Sequence, residues 1–271
     1  MTYTQKANQS VTRALQIMQI LAESDEPLGV RELARQIRVS PAIAQRLVSA
    51  LMESGFAEQD ASTRKYRVGL RAFTVGSAFL SGDVLVREVK PELQELSDRH
   101  GLNSYLAVRR GKSVVYLVTC QSSGPITIKT APGALSYLHS TSLGKALLCN
   151  LSDDEIQRLL GPEPYRKLTA RTKTRLAPLL RELHAASRDG TAICDEENLV
   201  GVFAIGAPLR DASEQTIAAI SGALPRHDVT KSRVKAVEKL IREAADRISI
   251  RLGAPIRSSA SKRRTLRGSR C

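Results

Sequence analysis

The chain has no tryptophan and only 4% aromatic residues. Few flat side chains are therefore available to stack on unpaired bases, which argues against a single-stranded RNA binder. Its four cysteines, Cys120, Cys149, Cys194 and Cys271, are scattered without a C-x-x-C or Cys/His pairing. Neither a disulfide framework nor a zinc site is indicated, and no metal or other cofactor is expected. No apolar run approaches the roughly 20 residues of a membrane-spanning helix. The opening MTYTQKANQS lacks the charged-then-apolar pattern of a secretory signal, so the expectation is a cytoplasmic protein with no membrane partner.

Acids are scarce beside bases: 41 Lys and Arg against 27 Asp and Glu give a net charge of +14. That balance suits a polyanion partner. Part of it sits in the final stretch, where Arg257, Lys262, Arg263, Arg264, Arg267 and Arg270 occur with no acid; without these six, the rest carries +8. With no hydrophobic period, residues 254–271 read as a disordered basic tail, either solubilising or a nucleic-acid arm. The 271 residues leave room for a small domain beside one of ordinary size.

The small domain is read first. Apolar residues recur at helical spacing over 10–22, with Ser10 as the expected N-cap, and again over 30–37. A third helix starts at Ser40-Pro41, the favoured pairing for a helix entrance, because the serine oxygen satisfies a free amide and proline leaves none unsatisfied. Its apolar residues Ile43, Leu47, Val48 and Leu51 face inward, whereas Ala42, Gln45, Arg46 and Ser49 lie on or beside the opposite face; Gly55 ends it. Two strand-like runs, 56–59 and 65–68, follow across the polar turn 60–63, next to Arg64 and Lys65. Three helices and a basic hairpin describe a winged helix-turn-helix over 8–69. The third helix would enter the major groove and the wing would touch the backbone beside it.

Downstream, the apolar pattern over 69–81 marks a linker helix, assigned to 70–82, that leads to a second domain over 83–253. Helices are expected at 84–100, 143–148, 153–160, 174–187 and 230–252, and strands at 103–108, 114–120, 125–129, 192–194, 201–209 and 215–223. This mixture suits an antiparallel sheet covered by helices, an α+β architecture. Gly144-Lys145 lacks the flanking residues of a phosphate-binding loop. The acids 195–197 could form a metal or acid/base pair but read as capping, arginine-paired or solvated groups, and His139 beside Ser140, Thr141 and Ser142 could form a nucleophile-base cluster but reads as hydrogen bonding that fixes a buried loop. An enzyme using the Cys, His and Asp residues of this domain is the minor alternative; no catalytic residue is assigned.

The stretch from RALQIMQILAE through VRELARQIRVSPAIAQRLVSALMESGF to STRKYRVGLRAF, residues 13–73, resembles the N-terminal domain of the IclR family of bacterial transcriptional regulators. LHSTSLGKALL (138–148), DEENLVGVFAIGAPLRD (195–211) and IAAIS (217–221) resemble that family's effector-binding domain, so the likeness runs over about residues 10 to 250. The resemblance implies a winged helix-turn-helix, a linker helix and a GAF-like α/β domain sensing a small organic acid or aromatic compound. The reading of the third helix and wing puts the expected DNA contacts at Ser40, Pro41, Ala42, Gln45, Arg46, Ser49, Arg64 and Lys65. Effector contacts carry over to Leu138, Cys194, Val202, Ala204, Ser221 and Ala223.

Two positions depart from the commoner pattern: Cys194 replaces an acid, and Ala223, followed by Leu224, replaces a serine and glycine. Each polar anchor lost from a buried pocket costs a polar ligand on the order of 1 to 3 kcal/mol, so a larger and more apolar effector than a small keto acid is expected. The expected partners are double-stranded operator DNA with an inverted repeat, a small-molecule effector, and further copies of the chain in a homodimer or tetramer.

Overall fold

The computed structural model describes residues 8–124 and 130–256. The strand expected at 125–129 and the basic residues from 257 onward lie outside them. The chain divides into two compact units, Met1–Gly82 and Asp83–Cys271.

In the first unit, α1 (Gln9–Glu23) is capped by Asn8, whose side chain accepts from Ser10 N at 3.1 Å. The start is thus two residues before the expected Ser10 cap, because the Asn8 carbonyl also accepts from Thr12 N at 3.0 Å. Helix α2 (Val30–Gln36) ends in a left-handed residue, Arg38, with φ 55°. Helix α3 (Pro41–Glu53) opens as expected, with Ser40 Oγ accepting from Ile43 N at 3.4 Å. The three helices bury Ile17, Leu21, Leu33, Leu47 and Val48 together.

Strands β1 (Ala57–Gln59) and β2 (Tyr66–Val68) form the hairpin. Its turn is organised by Asp60, whose Oδ1 accepts from Ser62 N at 2.9 Å and Thr63 N at 2.8 Å. These donors, with the two hydroxyls, hold that carboxyl far below the usual carboxylate range. Leu28 adds a third, bridging strand against Tyr66, with paired bonds of 2.9 and 2.8 Å. Helix α4 (Leu70–Gly82) follows Gly69, where a Cβ would fall 2.4 Å from the Gly55 carbonyl, so only glycine allows that approach.

The second unit begins with α5 (Val84–His100), capped by Asp83 and closed by left-handed Gly101. Strands β3 (Asn103–Arg110), β4 (Ser113–Cys120) and β5 (Leu135–Tyr137) precede α6 (Ser142–Leu148), α7 (Asp153–Leu160) and α8 (Leu176–Asp189). Then come β6 (Ala192–Asp195), β7 (Val202–Arg210), β8 (Thr216–Pro225), a single 3-10 turn, and α9 (Lys231–Arg251). The six strands form one antiparallel sheet in the order β5-β4-β3-β8-β7-β6.

Opposed residues in an antiparallel ladder share a face. Tyr105 and Gly206 both oppose Ser221, and a Cβ on Gly206 would lie 2.6 Å from the Ser142 carbonyl, so this face meets α6. Ser104 and Ile205 both oppose Gly222, where a Cβ would meet Ile241 at 2.9 Å, so the other face meets α9. Ser104 Oγ bonds to the Leu93 carbonyl of α5 at 2.7 Å on that same face. The unit is therefore an α+β layered domain, with α5 and α9 on one side of the sheet and α6 on the other.

Candidate functional site

Two surfaces carry the candidate residues. In the first unit, Ala44, Leu47 and Val48 turn α3 toward the core, which leaves Ala42, Gln45 and Arg46 exposed and Ser49 half-buried beside them. Gln45 is not free-swinging. The Tyr66 hydroxyl lies 3.2 Å from its Nε2 and 3.3 Å from its Oε1, and Nε2 donates to Ser49 Oγ at 3.2 Å. The wing thus holds the side chain of α3 that can present both a donor and an acceptor, a link invisible in the sequence because Tyr66 stands 21 residues away. Arg64 and Lys65 are exposed at the hairpin, and neither side chain forms an ion pair among the described residues.

In the second unit, Cys194, Ala204 and Ala223 lie in one row across β6, β7 and β8, with Val202 and Ser221 on the same face. That face is the one toward α6. Cys194, Ser221 and Ala223 are buried, whereas Val202 and Ala204 keep some exposure. Tyr105 and Tyr116, which sequence reasoning did not single out, share it: their rings meet edge-on with centroids 5.6 Å apart. Alternation along β3 could have found Tyr105, since it opposes Ser221. Burial, with the neighbouring Cys194, pushes the Tyr116 hydroxyl up to about 12, so it stays a neutral donor. Cys194 Sγ donates to the Ser140 carbonyl at 3.1 Å, and burial pushes that thiol up as well. Leu138 is buried in the loop before α6, packed so closely that a Cβ on Gly144 would lie 2.4 Å from its carbonyl.

Beside this face, between α6, α8 and the β6–β7 turn, sits a charge cluster. Lys145 is 1% exposed, yet its ammonium donates to Glu197 at 2.6 Å, to Glu182 at 2.5 Å and to the Ile193 carbonyl at 3.0 Å. Lys173 adds a second cation, 3.0 Å from Glu182. Burial pushes the Glu182 carboxyl up, but the two lysines outweigh it and hold it below its usual value. Burial prevails at Glu197 and raises it.

The remaining acids are also engaged: Asp195 pairs with Arg171 and Arg226, and Glu196 Oε1 accepts from Gly201 N at 2.8 Å. His139 bonds the Arg166 carbonyl through Nε2 at 3.0 Å, and burial pushes its pKa down. Gly144-Lys145 and the 195–197 acids thus form a structural lattice that pins α6 and the β6–β7 turn. Among the described residues, no helix is long and apolar enough to cross a membrane, and no group of three His, Cys, Asp or Glu side chains could hold a metal ion.

Comparison with known proteins converges on one family. Residues 10–61 match the model of the IclR helix-turn-helix domain, and residues 77–250 match that of the bacterial transcriptional regulator IclR C-terminal domain. The chain is 30% identical to the HTH-type transcriptional regulator BhcR of Paracoccus denitrificans, covering 94% of this chain and 90% of that protein. A transcriptional regulator from Rhodococcus sp. RHA1 of known structure is 26% identical, with a TM-score of 0.78 over 90% of this chain and 98% of that one. An IclR homologue from Microbacterium hydrocarbonoxydans, solved with 4-hydroxybenzoate, shares the fold at 21% identity, with a TM-score of 0.75 over 90% of this chain and 98% of that one. The C-terminal family model and the curated relative are both named as transcriptional regulators, and the chain belongs to the IclR family of bacterial transcriptional regulators.

Proposed function

We propose that the chain binds an inverted-repeat operator through α3 and its wing, and releases or engages it in response to a small, largely apolar or aromatic effector. Its target genes then serve the catabolism of that class of compound. The observation that carries the DNA half is the exposed Ala42, Gln45 and Arg46 face on a helix whose entrance is fixed by Ser40-Pro41. Arg64 and Lys65 supply phosphate contacts, and Ser49 steadies Gln45.

The effector half rests on one face of the sheet. Cys194, Ala223, Val202, Ala204 and Leu138 offer little to a multiply charged ligand, while Tyr105 and Tyr116 offer ring edges. Ser221 is the aliphatic hydroxyl among the β-strand candidates. Ser221→Ala is expected to weaken effector binding by about 1 kcal/mol or more, and Ala223→Ser to favour more polar ligands. DNA affinity without ligand should stay near wild type, since a ligand shifts an equilibrium only by its differential affinity for the two states. Calorimetric titration with a panel of benzoates, phenols and aliphatic acids, beside operator binding, checks this. Unchanged binding of every ligand to Ser221→Ala would move the pocket elsewhere.

Self-association fits the same reading. Helix α4 exposes Leu70, Phe73, Val75 and Phe79 and buries none of its residues among the described ones, an apolar surface suited to a second copy. Sedimentation at micromolar concentration should show a dimer or tetramer, and a footprint should show half-sites about 34 Å apart. A monomer that binds a single half-site tightly would refute it.

A further inference from the structure

The turn between α2 and α3 contains a residue that is poorly suited to its backbone. Helix α2 closes with a paired-bond ending in which Val39 N donates to the Ala34 carbonyl at 3.0 Å and Arg38 N to the Arg35 carbonyl at 3.3 Å. That ending requires a left-handed residue at its centre, where glycine is the usual occupant because a Cβ is crowded there. The centre is Arg38, at φ 55°. Its side chain is exposed and forms no hydrogen bond or ion pair among the described residues, so nothing within the fold accounts for a guanidinium there.

The surroundings favour an anion. Residues 30–46 hold Arg31, Arg35, Arg38 and Arg46 against one acid, Glu32, which lies 3.8 Å from Arg35. Three residues after Arg38, α3 begins at Pro41, and the positive end of this 13-residue helix's dipole faces the turn. The wing repeats the pattern, since Arg64 is also left-handed, at φ 57°, exposed and without an ion pair. A strained residue that the fold does not need points to a function outside the fold.

From these observations we infer that Arg38 is a DNA-phosphate anchor at the entrance of α3, kept in a glycine-type position for its charge. The inference rests on the DNA-binding reading above but adds a contact that the wing and the exposed face of α3 do not provide. It separates two properties that usually move together. Arg38→Gly relieves the backbone and removes the charge, so the protein should melt at or above the wild-type temperature while binding DNA less tightly.

The test is binding of the full chain to a random-sequence duplex of about 30 base pairs, measured between about 50 and 200 mM salt. For wild type and Arg38→Lys, the slopes of log affinity against log salt should agree. For Arg38→Gly and Arg38→Ala, the slope should be shallower by about 0.9, so that the fourfold rise in salt costs them about threefold less affinity. A merely conformational role predicts the opposite order, with glycine keeping full binding. If wild type binds and Arg38→Gly matches its slope, Arg38 is no anchor and the rest of the DNA reading stands; if wild type binds no duplex, both fall.

Discussion

Replacing Lys145 by methionine should destabilise the second unit by about 3–5 kcal/mol, the cost of stranding buried charge when one partner of an ion pair is removed. Lys145 is 1% exposed and Glu197 3% exposed, and their 2.6 Å contact lies behind the β6–β7 turn. Methionine fills the same volume but leaves Glu197 with only Lys173, at 3.7 Å. Over a unit of this size the loss corresponds to a fall in melting temperature on the order of 10 °C.

The deficit should shrink as pH falls. Burial already raises the Glu197 carboxyl, and without Lys145 it rises further above its unfolded value. The folded variant then takes up a proton that the unfolded chain does not, and gains stability relative to wild type toward acid. Pairing Lys145→Met with Glu197→Leu should recover much of the loss, because Glu182 keeps Lys173 at 3.0 Å and an apolar pair of similar volume avoids the desolvation penalty. Thermal melts of the two variants at pH 5 and 8 check all three expectations. A Lys145→Met protein that melts with wild type would mean that the cluster is solvated.

Gln45→Ala should abolish much of the preference for operator over scrambled DNA, by roughly 1–3 kcal/mol, the worth of one bidentate amide contact to a base. The structure adds a partner to this expectation. Because the Tyr66 hydroxyl touches both ends of the Gln45 amide, Tyr66→Phe should lose part of the same discrimination while leaving phosphate contacts intact. Competition binding with operator and scrambled duplexes at one salt concentration measures both. Full specificity in Gln45→Ala would show that another side chain reads the bases.

Much of the architecture could be read directly from the residues. Helices α5 and α7 fall on the bounds expected from their apolar periods, and the structure caps them at Asp83 and Ser152. Short pieces escaped notice. Strand β5 has three residues and reads as loop until β4 pairs with it, and the bridge at Leu28 exists only through Tyr66. Helix α8 starts at Leu176 and not 174, since the Thr174 carbonyl is taken by Tyr165 N at 2.9 Å.

Of the candidate surfaces, the exposed face of α3 follows from helical spacing, whereas the effector candidates come from the family resemblance and the strand register explains why those on β6, β7 and β8 share a face. What sequence could not supply was long-range pairing. Nothing near Lys145 announces that its partners stand 37 and 52 residues away, and nothing in IRVS marks Arg38 as left-handed.

The strand order has a consequence for how the protein is made. Strand β3 lies at the centre of the sheet, but one of its neighbours is β8, with Asn103 opposite Ala223 and Ala107 opposite Ala219. On a ribosome adding about 5–20 residues per second, β3 emerges many seconds before its partner exists. Until then it can pair only with β4, and its other edge stays open to aggregation. The first unit, with short-range helix contacts, can fold as soon as its own residues are out, whereas the second must wait for almost its entire length and then close a long loop. Nascent chains halted before β8 should therefore present a protease-resistant N-terminal unit on an unstructured remainder.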